Sequence, residues 1–310
     1  MSVGGPDPAI HRRRLRTELR NAREAANMTQ RDVAAAMEWS QSKLIRIESG
    51  AVNISTNDLR ALLAHYGVDS SRIDVLLAVG RAAREVTRWS HYKNVAAPEY
   101  MAFLGYESSA SIIRNFEPLW VPGLLQTEEY ARTVISIIGT HDPARIDSFV
   151  DLRIERQELL VRNPGPSFHF IMDEAVIRRL TGGRDVMRGQ LGHLLQLAEQ
   201  QNITIRVVPF DHGVYRLQGV AYQVFEFSDP QDEYVLYIEM PHGQQIVRES
   251  SSEQVDIDSP VHYLQAFWEL EQITSKEDSL KLIQDVAARL TSDPCSPVSD
   301  DDVVGTQTVT

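Results

Sequence analysis

The chain has 310 residues, 43% of them apolar and 24% charged, which is the make-up of a globular protein with room for two cores. It contains no run of eighteen apolar residues, and its single cysteine, Cys295, sits in a polar stretch. A membrane-spanning helix, a disulfide framework and a thiolate zinc cluster within one chain are therefore excluded.

The net charge of −12 argues against nucleic acid only until it is divided along the chain. Residues 1–93 hold 15 Lys/Arg against 10 Asp/Glu, whereas residues 94–310 hold 16 against 33. Phosphates respond to the field within about one Debye length, roughly 8–10 Å. A basic head on an acidic body is thus compatible with DNA binding, although arginines that merely coat solvated helices would give the same count.

In chain order, residues 1–10 are expected to be a flexible leader without the apolar core of a secretion signal, which makes the cytoplasm the default location. Residues 12–26 predict a helix with Leu15, Leu19, Ala22 and Ala26 at helical spacing. Short helices are predicted after Thr29, after Ser40 (stopped by Gly50), and over 57–65. A fifth, over 71–93, buries Ile73, Leu76, Leu77 and Val79 and leads toward the second domain. The expected domains are a DNA-binding unit over 11–80, a helical linker over 81–107 and a larger domain over 108–290. Residues 291–310 are polar and expected to be disordered.

The larger domain reads as α+β. A helix is predicted near 111–116, then a turning stretch through Pro118 and Pro122-Gly123, then a helix capped by Thr127. Another helix covers 143–162. Strands are predicted at 168–172, 203–208, 221–227 and 234–239, with a helix over 184–201 between the first two and a hairpin turn at Ser228-Asp229-Pro230. Helices over 259–273 and 276–290 close the domain.

The most informative stretch is 29–50. Thr29 and Ser40 each cap a short helix; Val33, Ala34 and Met37 form the apolar stripe of the first, and Leu44 and Ile47 that of the second. The small residues Ala34, Ala35 and Ala36 permit close helix approach. At 100° per residue, Ser42, Ile45, Arg46 and Ser49 fall opposite Leu44 and Ile47, with Gln41 in the leading turn. A glutamine can pair with adenine and an arginine with guanine, both in bidentate fashion, and Ile45 suits a thymine methyl.

This pattern resembles the helix-turn-helix of the lambda-repressor and Cro (XRE-type) family across residues 12–68. The resemblance rests on Arg23, Thr29-Gln30, Val33-Ala34, Ser40-Gln41, Leu44, Ile47-Glu48 and Gly50. It implies that Gln30, Gln41, Ser42, Lys43 and Arg46 contact DNA, with Asn53 and Thr56 on phosphates. Arg23, Val33, Ala34, Leu44, Ile47, Glu48 and Gly50 would support the motif, with Arg23 paired to Glu48. Glu38-Trp39 departs from the family's small turn residue. The head is thus expected to be a five-helix lambda-repressor-like domain that binds double-stranded DNA, most naturally as a homodimer.

Residues 119–132, Leu-Trp-Val-Pro-Gly-Leu-Leu-Gln-Thr-Glu-Glu-Tyr-Ala-Arg, resemble the signature of the C-terminal domain in a group of actinobacterial regulators that includes the WhiJ-like developmental regulators. The resemblance covers about 105–290. It implies a small protein partner encoded nearby and no catalytic reaction, with Trp120, Pro122, Gly123, Leu124, Leu125, Gln126, Thr127 and Tyr130 as a partner or ligand region. From the residues alone, most of that segment is explained by a turn, two buried leucines and a helix start.

No cofactor, metal or catalytic site is expected. His141-Asp142, His169, Asp173, His193, His212 and His242 lack metal-ligand spacing, and no phosphate-binding glycine loop or nucleophile elbow occurs. Phe225, Phe227, Tyr234, Tyr237, Phe267 and Trp268 can wall a ligand pocket or simply fill a core. Leu264, Phe267, Trp268, Leu280, Ile283 and Val286 on the closing helices offer a dimer stripe. Two alternatives stay open: an adaptor whose acidic body binds a basic protein, and a small-molecule sensor with a residual enzymatic site.

Overall fold

The computed structural model describes residues 7–50, 52–138, 142–228, 234–240, 243–248 and 259–292. The first helix, α1 (Pro8–Ala25), begins earlier than its apolar spacing suggests. Asp7 caps it by accepting the Ala9 N–H at 2.9 Å, and Pro8 occupies the first helical position, where a missing N–H costs nothing. The end of the leader expected over 1–10 is corrected accordingly: Pro8, Ala9 and Ile10 are helical and buried, while residues 1–6 lie outside the described residues.

Four further helices complete the head, each starting at a capping side chain: α2 (Gln30–Ala36) at Thr29, α3 (Gln41–Glu48) at Ser40, α4 (Thr56–His65) at Ser55 and α5 (Ser70–Ala82) at Asp69. Thr29 and Asp32 form a reciprocal capping box. Leu15, Leu19, Val33, Leu44, Ile47, Leu59, Leu62 and Leu76 meet in one core.

The expected linker over 81–107 is corrected too. It contains a short 3-10 turn at Arg88–Tyr92 and then α6 (Pro98–Ser109), which buries Phe103, Leu104 and Tyr106 in the core of the body. A helix this apolar cannot lie in water as a connector. The turn before it is fastened as well, since Tyr92 donates to Glu155 at 3.0 Å and Arg88 to Glu158 at 2.8 Å.

The chain then enters the sheet through β1 (Ile112–Glu117), where a helix was expected. From β1 it passes through α7 (Glu128–Ile138) and α8 (Pro143–Arg156) to β2 (Ser167–Asp173), then through α9 (Glu174–Arg178) and α10 (Arg184–Leu197) to β3 (Ile203–Val208). These crossovers make β1, β2 and β3 parallel, as helix-spanned connections allow. β4 (Tyr222–Glu226), β5 (Val235–Met240) and β6 (Gly243–Arg248) then add an antiparallel meander on the other side of β1. The six-stranded order is β3-β2-β1-β4-β5-β6.

β1 lies at the centre with both faces covered, so Ile113 to Glu117 are all buried and the strand shows no alternation. One sheet face, with Phe168, Phe170, Ile205 and Phe225, packs on α6, α7 and α10. The other, with Phe116, Ile171, Val224 and Leu236, packs on α11 (Pro260–Ile273) through Leu264 and Phe267. α12 (Lys276–Ser292) closes the β3 edge: the Val207 N–H donates to Ser279 Oγ at 2.9 Å, covering a donor that would otherwise invite another strand. Thr291 and Ser292 end α12, and the rest of the expected disordered tail lies outside the described residues. So does the centre of the turn expected at Ser228-Asp229-Pro230, of which only Ser228 is described.

Head and body share α1. Its first turn puts Ile10 in the body core, and its later turns put Leu15 and Leu19 in the head core. The Asp7 N–H donates to Ser109 Oγ at 2.8 Å, and Thr87 Oγ1 donates to Asp7 Oδ2 at 2.7 Å.

Candidate nucleic-acid interface

α3 stands on two buried anchors, Leu44 and Ile47, and its opposite side carries Gln41, Ser42, Ile45, Arg46 and Ser49, all exposed. Ile45 is 43% exposed, an unusual position for a β-branched residue unless something apolar covers it. Among the described residues the side chains of Gln41, Ser42 and Arg46 have no hydrogen-bond or ionic partner, so an amide, a hydroxyl and a guanidinium face outward unengaged. This is the donor and acceptor set that reads base edges in a major groove.

Two of the other expected contacts, Lys43 and Gln30, already have partners within the chain. Lys43 lies over the Trp39 ring, with Nζ 3.8 Å from its centroid, and 3.3 Å from Asp58 Oδ2. Gln30 donates its amide to Glu48 Oε2 at 2.7 Å. The same carboxylate takes Arg23 Nε at 2.8 Å, and Arg23 Nη1 reaches Met28 O at 3.0 Å. Gln30, Arg23 and Glu48 thus form one clamp that joins α1, α2 and α3. The hydrogen bond to Glu48 raises the Arg23 pKa further, and burial followed by the Glu48 charge raises that of Tyr66 nearby.

Thr56 Oγ1 accepts from Arg84 at 2.8 Å, and Arg84 also holds Ile54 O at 2.8 Å, while Asn53, just before Ile54, stays exposed. Arg16 donates to Ser49 O at 2.8 Å and its side chain fills the space where Gly50, at φ +75°, has no Cβ. Arg16 thus holds the C-terminal end of α3, Trp39 and Asp58 hold its Lys43 side chain, and Arg84 ties down the loop that follows. Sequence spacing gave no signal for Arg16, Arg84 and Asp58, whose partners lie 15 to 33 positions away, whereas Trp39 and Lys43 stand four apart, a spacing that could have shown the pair. The turn between α2 and α3 keeps a short connection despite Glu38-Trp39: Glu38 takes φ +55° and the Trp39 N–H returns to Ala34 O at 2.8 Å.

The segment after β1 is mostly interior. Pro122, Leu124, Leu125, Gln126 and Tyr130 are buried, and Trp120, Gly123 and Thr127 half-buried. Gln126 donates to Val121 O at 2.7 Å and accepts from Arg153 at 2.9 Å; Gln190 donates to Leu125 O at 2.7 Å and accepts the Thr127 N–H at 2.8 Å. The two glutamines satisfy the main chain of an irregular turn that water cannot reach.

The remaining candidates are dispersed. His169 Nδ1 is 3.0 Å from Glu271, Asp173 caps α9 and accepts from Tyr215 at 2.6 Å, His193 is half-buried with its pKa lowered by burial, and His212 is exposed. His141 and His242 lie outside the described residues. Phe225, Tyr237 and Phe267 are core, Phe227 and Tyr234 are half-buried and Trp268 is exposed. The expected dimer stripe is corrected by the packing: Leu264, Phe267, Ile283 and Val286 are buried inside their own chain. Among the described residues no helix is long and apolar enough to cross a membrane.

Fold and site together define a helix-turn-helix head joined to a body with a mixed six-stranded sheet. A model for a helix-turn-helix domain matches residues 14–76, and a model for a domain of unknown function (DUF5753) matches residues 100–284. The chain belongs to the DUF5753 family. Comparison with curated proteins and with solved structures gave no match.

Proposed function

We propose that the chain is a sequence-specific transcriptional regulator that lays α3 in the major groove, with Gln41 and Arg46 reading bases and Ser42 and Ile45 completing the contact. The observation that carries this reading is the outward side of α3, opposite Leu44 and Ile47, where the side chains of Gln41, Ser42 and Arg46 are exposed and unengaged and Ile45 is exposed among them. Asn53 and Thr56 follow on the phosphate side, and Gln30 positions α3 through Glu48.

One head offers few contacts, so the reading includes a homodimer on half-sites about 34–36 Å apart. It assigns the body the role of receiving a small protein or ligand, without an enzymatic step, and places the protein near the WhiJ-like group on the strength of residues 119–132.

Selection of duplexes from a randomised pool by the full chain tests the proposal. Recovery of one motif by the wild type, and its loss with the double substitution Gln41→Ala and Arg46→Ala, is the expected result. A pool that stays random would remove the regulator reading and favour the adaptor whose acidic body carries the function.

A further inference from the structure

Between head and body lies a cleft of about 490 Å³, within the size range of small-molecule sites. Its walls differ in character. Arg12 and Arg16 of α1 and Lys93 line one part, and Met101, Ala102 and Tyr106 of α6 line another. No carboxylate lines it among the described residues, although acids outnumber bases 43 to 31 in the chain. The carboxylate next to it, Asp7, is engaged with Thr87 and with the start of α1.

Two of the cations are available. Arg12 donates only to the main-chain carbonyl of Ala83, at 3.3 Å, and Lys93 is exposed with no partner among the described residues. A carbonyl leaves the guanidinium charge uncompensated, so an anion entering the cleft gains from both groups. The apolar wall adds a demand that a bare phosphate does not meet, because Met101 and Ala102 are half-buried and offer no hydrogen-bonding side-chain group of note.

We propose that this cleft binds a small organic anion with an apolar body, its acidic head toward Arg12 and Lys93 and its apolar part on Met101 and Ala102. The position gives the ligand a regulatory reach. Gly50, two residues past α3, also lines the cleft, and Arg16 holds the O of Ser49, the residue that caps α3. A ligand that fits only the docked arrangement of head and body shifts the affinity of α3 for DNA, and DNA shifts the affinity for the ligand by the same factor. Binding stands on the cleft alone; only the effect on DNA rests on the function proposed above.

The test titrates the full chain with anilinonaphthalene sulfonate, followed by fluorescence, with decanoate and decanol as competitors. One saturable site per chain is expected, displaced by decanoate and not by decanol. Lys93→Glu, at an exposed position that leaves folding intact, is expected to weaken binding about tenfold, the effect of roughly 1.4 kcal/mol. Ala102→Trp, which fills the cleft, is expected to abolish it.

Equal binding by wild type and both variants, or displacement by decanol as effective as by decanoate, would overturn the proposal. So would failure of the probe to bind while Lys93→Glu weakens the affinity for random duplex, since Lys93 would then be a phosphate contact. Duplex binding measured without probe on the same samples separates failure of this site from failure of the DNA-reading assignment.

Discussion

Ala9 and Gly105 touch where α1 crosses α6: a Cβ placed on Gly105 would lie 2.5 Å from the Ala9 Cβ and 2.8 Å from Asp7 Oδ1. Neither neighbour can swing away, since Ala9 has no rotamer and Asp7 is tied to Ser109 and Thr87. Gly105→Ala is therefore expected to destabilise the docked arrangement by about 1–3 kcal/mol through overpacking. Limited proteolysis of residues 84–97 should become faster while the far-ultraviolet spectrum is kept. Unchanged cleavage and an unchanged melting temperature would show that the junction yields without cost.

Glu38 holds a left-handed backbone, φ +55°, that the two-helix motif needs in its turn. A residue with a Cβ resists that conformation by about 1–2 kcal/mol, part of which glycine recovers. Glu38→Gly is expected to stabilise the protein by about 1 kcal/mol in denaturant unfolding, because Glu38 is exposed and loses no contact in the core. A lower midpoint for the variant would mean that chain entropy outweighs the relief.

The contrast between head and body shows what sequence makes legible. Thr29 and Ser40 announce their helices within three residues, and Leu44 and Ile47 define a buried side by helical arithmetic, so α2, α3 and the outward row follow from local signals. β1 does not, because Ile113 through Glu117 are buried on both faces and a strand without alternation can be taken for a helix. β6 was not foreseen either: Gly243, Gln244 and Gln245 give half of it a polar, loop-like text, and pairing with β5 supplies the order. In the site, Gln41 and Arg46 were legible as surface, whereas the bond from Gln30 to Glu48 spans eighteen positions and exists only after α2 and α3 pack.

That clamp makes Glu48 the residue whose loss the head should feel most. Its side chain is 1% exposed and serves Arg23, 12% exposed, and the Gln30 amide. Glu48→Ala leaves a buried guanidinium without its carboxylate, which is expected to cost about 3–5 kcal/mol. Gln30→Ala removes one charge-assisted hydrogen bond and is expected to cost about 1.5–3 kcal/mol. Urea unfolding of the two single variants checks the order; a Gln30→Ala loss as large as that of Glu48→Ala would contradict the assignment of Arg23 as the main partner.

Glu117, buried at the end of β1, has one carboxylate oxygen without a partner, and Asn115 approaches the other at 3.4 Å. Burial first, and then the charge of Glu239, raises its pKa well above 4.5. The folded protein therefore binds this proton more tightly than the unfolded chain, and its contribution to stability is complete below pH 4.5 and lost as pH rises through the folded value. Each unit by which the proton is held is worth about 1.4 kcal/mol. Glu117→Gln, which stays neutral, is expected to flatten that decline, so that melting temperatures of wild type and variant diverge toward alkaline pH. Parallel curves from pH 5 to 9 (roughly the range in which a raised carboxyl titrates) would mean that Glu117 is ionised in the folded state.

Arg46 and Asn53 separate reading from holding. Arg46 projects from the outward row of α3, and Asn53 sits in the loop beyond it, both exposed. If Arg46 meets a guanine edge, Arg46→Ala costs about 1–3 kcal/mol on the selected duplex and relaxes the preference at one base pair, while random duplex is bound almost as before. If Asn53 lies on a phosphate, Asn53→Asp adds a negative charge against the backbone and weakens every duplex alike, most at low salt. Anisotropy titrations of both variants on selected and random duplexes, at several salt concentrations, distinguish the two roles. A uniform loss from Arg46→Ala, with the salt slope reduced by about one, would move Arg46 to the backbone and leave Gln41 as the side chain that chooses the sequence.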